Sequence, residues 1–211
     1  MEIQYIDNIA STHQWLLENV KLKKIYPPYA LYAGEQYDGV GSRGNTWSGN
    51  RGNLFFSFCV EEKQLPNDLP PSSVSIYFAW IMREVLFSKG SKIWLKWPND
   101  FYLENKKIGG VITAKVGSVL IGSMGINIAS CPEEFDILDI KESPKSLVDA
   151  YISELSKKNS WKQIFSKYKI EFQNSRHFSF HMDGKKVSLA DAILCEDGSI
   201  EIENKKVYSL R

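Results

Sequence analysis

Strand-like and helix-like segments alternate along most of this chain, and their irregular rhythm is the feature that most limits its fold. Runs rich in β-branched and aromatic residues predict strands, at 30–34, 54–60, 92–97, 107–116 and 118–129. Apolar residues at helical spacing predict helices, one starting at the capping-box pattern Ser11-Thr12-His13-Gln14 and the others over 72–88, 145–157 and 160–174. These segments do not repeat as regular strand–helix–strand units. The rhythm therefore argues against a dinucleotide-binding fold.

The pattern changes at about residue 177, where helical spacing stops. Short strand-like runs follow, separated by the turn pairs Asp183-Gly184, Asp197-Gly198 and Glu203-Asn204. Asp-Gly pairs are strong signals of a hairpin turn. We therefore expect two domains, a larger one over 1–176 and a small all-β one over 177–211.

Composition excludes several classes of protein. The chain has 26 basic and 25 acidic residues, a balance that gives no support to broad binding of nucleic acid or of an anionic membrane. No run approaches the ~18 apolar residues of a membrane helix, and the first residues lack the pattern of a signal peptide. The three cysteines show no C-x-x-C spacing and suggest neither a disulfide framework nor a zinc site. We expect a cytoplasmic protein without nucleic-acid or membrane partners.

One segment, GVGSRGNTW at 39–47, combines three glycines with a single arginine. Glycine lets backbone N–H groups approach an anion closely, and Arg43 can neutralise a phosphate with a two-pronged contact. The segment lacks the G-K-[ST] ending of a Walker loop, and it opens no predicted helix. Taken alone, such a loop is more often a flexible surface connection than an anion-binding loop.

A second segment, at 96–100, places a lysine, an amide and a carboxylate around a Trp-Pro stop, and Lys107 follows before Gly109-Gly110. Cations suit a triphosphate or a carboxylate ligand, and a carboxylate can hold Mg²⁺ among phosphates. An exposed turn with solvated charges is the alternative.

A third segment, 122–128, places two glycines in an apolar strand. Glycine in a strand marks close approach of a ligand or of another backbone, although packing alone also explains it.

Taken together and in this order, these segments resemble the biotin–protein ligase family. Lys96-Trp97-Pro98-Asn99-Asp100 with the trailing Lys107 is the most specific match. Further matches span essentially the whole chain: Ser11-Thr12 for the family's S-T-N, Gln36 and 39–47 for its biotin and adenylate loop, Gly52-Asn53-Leu54, Gly125-Ile126-Asn127 and the closing 208–211. The resemblance implies an α+β fold, namely a class II synthetase-like catalytic domain with a mixed, largely antiparallel sheet and flanking helices on one side. A small C-terminal β-barrel would follow.

The resemblance also implies a two-step reaction. Biotin attacks Mg²⁺-bound ATP to give biotinyl-5′-adenylate, and the biotinyl group then passes to a lysine of a biotin carboxyl carrier protein. Biotin and ATP are thus the expected substrates, and Mg²⁺ is the expected metal. Two alternatives are a lipoate–protein ligase-like enzyme and a non-catalytic relative that binds biotin or a nucleotide.

The family's site residues carry over by motif. Lys107 and Arg43 are the expected catalytic residues, and Asp100 is the expected Mg²⁺ ligand. The expected biotin-binding residues are Ser11, Thr12, Gln36, Gly39, Gly41, Trp47, Lys107 and Gly110. The expected ATP-binding or adenylate-binding residues are Arg43, Lys96, Asn99, Asp100 and Asn127.

The glycine-rich loop departs from the family pattern. Val40, Ser42 and Asn45 stand where the family has three arginines, so Arg43 is the arginine that remains within it. Either Arg43, helped by Arg51, binds the phosphate from a shifted position, or the adenylate is held more loosely.

Two other departures concern the start of the chain. His13 replaces the asparagine of S-T-N, and its imidazole either touches ligand or simply occupies the first turn of the helix. DNA-binding members of the family carry a winged helix-turn-helix before S-T-N, whereas ten residues precede Ser11 here. We therefore expect no repressor activity.

Overall fold

The computed structural model describes residues 1–41, 47, 49–182 and 184–208. Within these residues, the α-helices are α1 (Thr12–Lys21), α2 (Val74–Ser88), α3 (Pro144–Ser156) and α4 (Trp161–Ser175). The strands are β1 (Glu2–Ile9), β2 (Tyr29–Gln36), β3 (Leu54–Glu61), β4 (Trp94–Lys96), β5 (Asp100–Leu103), β6 (Lys106–Val116), β7 (Val119–Ile126), β8 (Ser179–Met182), β9 (Lys185–Ser188), β10 (Ile193–Leu194), β11 (Ile200–Ile202) and β12 (Lys205–Val207). No helix in this part of the chain is long and apolar enough to cross a bilayer.

The first seven strands form one sheet in the order β1-β2-β3-β7-β6-β5-β4. β1 and β2 are parallel, and every other neighbouring pair is antiparallel. A parallel pair needs a crossover connection, and α1 lies in the connection between β1 and β2. The prediction of a mixed, largely antiparallel sheet is confirmed.

Helices cover both faces of this sheet, so the prediction that they lie on one side is wrong. Successive side chains of a strand point to opposite faces, and β3 buries both sets. Phe56 and Phe58 belong to the core that includes α2, α3 and α4, whereas Phe55 and Cys59 belong to a second core with Leu16 of α1. Each face thus needs its own apolar cover.

The predicted helices and strands agree with the structure to within a few residues, with two strands missed. β1 is exposed along most of its length and lacks the apolar alternation that reveals a half-buried strand. β5 was missed because it begins at Asp100, inside the segment treated as a strand end. Residues 97–99 form the turn of a hairpin in which Lys96 pairs with Asp100.

The C-terminal strands form a two-stranded sheet, β8-β9, and a three-stranded sheet, β10-β11-β12. They contact the β4–β5 turn through Trp97, whose indole N–H donates to the Gly198 carbonyl (2.9 Å) and whose ring meets that of Phe180. The Trp97 backbone N–H donates to Ser175 Oγ (3.0 Å) at the end of α4. This segment therefore holds the turn in place, while the division at residue 177 into two domains stays a prediction.

Candidate active site

A cavity of about 450 Å³ opens on the face of the sheet that carries α1. Most of the residues predicted for the site line it: Ser11, Thr12, Gln36, Gly41, Trp47, Asn99, Asp100, Lys107 and Gly110. They come from the start of α1, the end of β2, the connection between β2 and β3, the β4–β5 turn and β6. Segments far apart in the sequence therefore meet at one cavity, as the resemblance implies.

Gln36 connects α1 to Trp47. Its Oε1 accepts the Thr12 backbone N–H (2.9 Å) and lies 3.2 Å from Thr12 Oγ1, and its Nε2 donates to the Trp47 carbonyl (3.1 Å). These contacts fix the orientation of the amide, because a flipped amide would set its N–H groups against the Thr12 N–H and its oxygen against the Trp47 carbonyl. Trp47 is further held by its own N–H, which donates to the Gly39 carbonyl (2.6 Å).

A row of hydroxyl groups continues from Thr12 beneath the cavity. Ser57 Oγ lies 2.9 Å from Thr12 Oγ1 and 2.8 Å from Ser123 Oγ, which in turn lies 2.8 Å from His13 Nδ1. Thr12, Ser57 and Ser123 are buried. Desolvation lowers the pKa of His13 below its ordinary value and favours the neutral imidazole.

His13 lies in the first turn of α1 and also lines the cavity, so contact of its imidazole with a ligand stays a prediction. Ser57 and Ser123, by contrast, were missed by sequence reasoning. The available signal was their polarity at central positions of two otherwise apolar strands, β3 and β7. A buried polar side chain requires a partner, and here the partners are one another.

Lys107 and Asp100 form the charged end of the cavity. Lys107 Nζ lies 2.7 Å from Asp100 Oδ1, with the two side chains 25% and 23% exposed. Gly110 leaves room for this pair, because a Cβ there would lie 3.0 Å from Asp100 Oδ1. In the same turn Asn99 is buried, and its Nδ2 donates to the Val111 carbonyl. The alternative of an exposed turn with solvated charges is therefore wrong.

The indole of Trp47 lies between the two ends. A side chain at Gly125 would overlap its Nε1, so glycine in β7 permits this close approach. Lys107 Nζ lies 6.0 Å from the centre of the Trp47 ring, and Phe135 meets the ring edge to face at 6.3 Å. One aromatic side chain thus contacts the charged end while its backbone is tied to Gln36.

A model of the biotin/lipoate A/B protein ligase family matches residues 5–129, more than half of the chain. The chain belongs to this family. It is 38% identical to biotin acetyl coenzyme A carboxylase synthetase from Helicobacter pylori, whose crystal structure contains biotinylated ATP. That similarity covers 98% of this chain and 99% of the other, with a TM-score of 0.93.

Two bifunctional ligase/repressor proteins named BirA are also similar. The protein from Salmonella typhimurium is 34% identical over 139 residues, and the one from Escherichia coli is 35% identical over 129 residues. The alignments cover 62% and 57% of this chain, and 42% and 39% of the two relatives. The chain therefore spans about two fifths of their length.

Three of the described residues predicted for this ligase-family site lie outside the cavity wall. Gly39 is buried beside Gln36 and Trp47. Lys96 lies under the turn, with Nζ near the Tyr102 hydroxyl (3.4 Å) and the ring of Phe178. Asn127 lines a second cleft, of about 440 Å³, that shares Gln36 with the main cavity. Arg43 lies outside the described residues, so its role stays a prediction.

Arg51 does not line the cavity, which removes the support for its helping Arg43. Its guanidinium makes a two-pronged contact with Asp7 on β1, at 2.6 and 2.9 Å. These hydrogen bonds lower the pKa of Asp7 from 3.8 to about 2. The arginine therefore has a partner that holds it at the end of the 39–50 segment.

Asp100 fits a magnesium site only as one ligand among several. The described residues contain no cluster of three or more His, Cys, Asp or Glu arranged to hold a metal. Mg²⁺ is commonly bound by one or two carboxylates together with substrate phosphates and water. Asp100, which lines the cavity together with Glu134, is consistent with that arrangement.

Proposed function

We propose that this protein is an ATP-dependent biotin–protein ligase that makes biotinyl-5′-adenylate and transfers biotin to a lysine of a biotin carboxyl carrier protein in the cytoplasm. One observation carries the proposal: a single cavity joins a buried, neutral, hydrogen-bonding end to a Lys107–Asp100 end. Biotin has the matching form, since a neutral ureido ring is connected by an apolar chain to a carboxylate. The similarity to a synthetase with bound biotinylated ATP supports the choice of ligands.

In the first step, a biotin carboxylate oxygen bonds to the α-phosphorus of ATP. The bond from that phosphorus to the bridging oxygen breaks, and pyrophosphate leaves with the electron pair. Both reactants are anions and repel each other, so the main task of the protein is to hold them together. Lys107 can do so because its ammonium can leave the Asp100 carboxylate when the ligands bind. It then contacts the carboxylate of biotin and the phosphate oxygens of ATP instead.

Asp100 would then be free to hold Mg²⁺ together with the phosphates of ATP. The metal, when bound, supplies positive charge that offsets the charge of the phosphate chain. Asn99 fixes the turn that carries Asp100, since its side chain donates to Val111 while Val111 N–H donates to the Asn99 carbonyl (2.9 Å). The carboxylate is therefore placed by a buried, hydrogen-bonded turn.

In the second step, the amine of the acceptor lysine attacks the acyl carbon of the adenylate. The bond from this carbon to the phosphate oxygen breaks, AMP leaves, and the nitrogen loses a proton as the amide forms. Trp47 lies over the cavity beside Lys107, where it can shield the mixed anhydride from water until the acceptor arrives. Arg43 would add a cation to the phosphate from the same loop.

The experiment that tests the proposal measures pyrophosphate release and acceptor labelling with biotin or lipoate as the acid. A biotin carboxyl carrier domain serves as acceptor, and the same domain with its target lysine changed to arginine serves as the control. We expect biotin-dependent pyrophosphate release and labelling of the unmodified acceptor alone. Activity with lipoate in place of biotin, or biotin binding without pyrophosphate release, would reject the proposal.

A further inference from the structure

The neutral end of the cavity contains an unbroken row of hydrogen-bonding atoms with a countable number of hydrogens. The row runs from His13 Nδ1 through the hydroxyls of Ser123, Ser57 and Thr12 to Gln36 Oε1. It has four contacts, of 2.8, 2.8, 2.9 and 3.2 Å in that order. Each contact needs one hydrogen, and the three hydroxyls provide three.

The fourth hydrogen has to come from one end of the row. Gln36 Oε1 cannot provide it, because this atom is an acceptor and the amide is fixed by the Thr12 N–H on one side and the Trp47 carbonyl on the other. His13 Nδ1 is therefore the source. The hydrogens then all point the same way, from His13 to Ser123, from Ser123 to Ser57, from Ser57 to Thr12 and from Thr12 to Gln36.

We propose that His13 is a positioning residue that donates the first hydrogen of this row from Nδ1 and thereby completes it, with the hydroxyls of the neutral end left to accept hydrogen bonds from the ligand. In the fully bonded row, Ser123 and Thr12 each donate their hydroxyl hydrogen to the next residue of the row and accept a hydrogen bond from the residue before. Each hydroxyl oxygen keeps one lone pair and no hydrogen for a ligand. Both residues line the cavity.

Ser11 has the opposite character. Its Oγ accepts the Gln14 backbone N–H (3.3 Å) as the cap of α1, and no acceptor for its own hydrogen is seen among the described residues. The three hydroxyls of the wall thus offer two acceptors and one donor. A cyclic urea offers two N–H donors and one carbonyl acceptor, so the two patterns are complementary, whereas a ring without N–H groups leaves both hydroxyl oxygens unmatched.

This inference rests on the proposed function for the identity of the ligand, but not for the direction of the row. It also gives a reason why histidine can replace the asparagine of the family motif. An asparagine side chain carries N–H donors, so either residue can start the row, whereas a side chain without a donor cannot. With such a side chain, the three hydroxyl hydrogens still serve the three remaining contacts, and Ser123 loses the donor that contacts its oxygen from α1.

The direct test is the tautomer of His13 in the ligand-free protein. The other two histidines, His177 and His181, are exposed, so a tag-free protein with His177→Asn and His181→Asn keeps His13 as its single histidine. Nitrogen-15 NMR of the ring above pH 7 should show a protonated Nδ1 and an unprotonated Nε2. The reverse tautomer would overturn the inference, whether or not the protein binds biotin.

The second test compares two ligands on the wild-type protein. Calorimetry gives the affinity ratio of biotin to an analogue in which one ureido N–H is replaced by a ring oxygen. We expect biotin to bind about tenfold more tightly, because the ring oxygen of the analogue meets a hydroxyl lone pair to which it cannot donate. His13→Asn, which also brings a donor, should keep this ratio.

Equal affinities of the wild-type protein for the two ligands would therefore reject the acceptor pattern of the wall. If wild-type protein takes up neither ligand, the proposed function fails, and the NMR result still decides the direction of the row. The two failures are thus separable.

Discussion

The two ends of the cavity differ in how deeply their bonded polar groups are buried. At the neutral end, Ser57 is completely buried and the hydroxyl row runs between α1 and the central strands β3 and β7. At the charged end, Lys107 and Asp100 are each about a quarter exposed. The contrast suggests that one end is a fixed template for recognition, while the other is an ion pair that a charged ligand can open.

Sheet position explains the difference. β3 and β7 lie in the middle of the seven-stranded sheet, and their faces are covered by α1 on one side and by the larger core on the other. β5 lies next to the edge strand β4, and Asn99 and Asp100 at its start line the cavity. Damage at the neutral end should therefore lower stability and selectivity, whereas damage at the charged end should lower the rate of chemistry.

The largest effect is expected for Lys107→Ala. Loss of a positioned cation at a site of developing charge commonly costs about 10²–10³-fold in rate, and we expect a fall of that size in biotin-dependent pyrophosphate release. The unfolding midpoint should change little, because a partly exposed ion pair contributes little to stability.

Lys106→Ala is the matched control for that change. Lys106 is the neighbouring residue on β6, but it is exposed, and its Nζ contacts the Glu133 carbonyl (3.4 Å) rather than Asp100. We expect near-normal pyrophosphate release from this variant. Equal losses in the two lysine variants would show that the rate depends on general charge and not on the ion pair.

The next largest effect is expected for Gly125→Ala, which tests whether Trp47 connects the two ends. The added methyl group overlaps the indole Nε1, so the ring has to leave its place beside Lys107. Overpacking of this kind costs about 1–3 kcal/mol, which corresponds to a loss of roughly 10-fold or more in biotin affinity by calorimetry.

A double-mutant cycle identifies the cause. In a Trp47→Ala protein there is no indole to displace, so Gly125→Ala should have little further effect. If the second change weakens binding as much as it does in wild type, then the glycine acts on the backbone and not through Trp47.

The sequence predicts the charged end better than the neutral end, and the reason is physical. Lys96 to Asp100 and the trailing Lys107 are polar residues crowded around a strand end, a local pattern that can be read from a few adjacent letters. Their meeting in a hairpin still depends on the register of β5 and β6, which brings Asp100 opposite Gly110. The resemblance to a known family provided the roles.

The neutral end depends on contacts that no local pattern reveals. Ser57 and Ser123 are 66 residues apart, and each is a single serine in an apolar strand. Their contact arises because β3 and β7 pair with Ser57 directly opposite Ser123. Strand order and register are tertiary properties, so the hydroxyl row appears only once the sheet is assembled.

A smaller effect is expected for Ser57→Ala, and it should appear as lost stability. The change removes the hydrogen that Thr12 receives and the acceptor that Ser123 uses, in a place without access to solvent. Unsatisfied buried groups cost about 1–3 kcal/mol, measurable by denaturant unfolding. Ser156→Ala, which removes an exposed hydroxyl bonded to the Ser153 carbonyl (2.6 Å), is the control and should cost less.

The smallest effect is expected from pH, acting through His13. Burial lowers the pKa of this imidazole below its ordinary value of 6.5, so the unfolded chain binds a proton more readily than the folded protein does. The stabilising contribution of neutral His13 is therefore complete above about pH 6.5 and is lost as the pH falls toward the lowered pKa. One proton can change the free energy of unfolding by at most about 1.4 kcal/mol per pH unit.

The measurement compares wild type with His13→Asn by denaturant unfolding at pH 7.5 and 5.5, so that the contributions of Asp100, Lys107 and Glu134 around the same cavity cancel. The stability of wild type relative to the variant should fall toward acid pH. The affinity ratio of biotin to its ring-oxygen analogue should not fall with it, because a protonated imidazole still donates from Nδ1 and the hydroxyl row keeps its direction. If the ratio fell sharply at pH 5.5, the neutral imidazole would have to contact the ligand directly. The neutral end of the cavity would then exchange its internal hydrogen bonds for ligand contacts, as the ion pair of the charged end does.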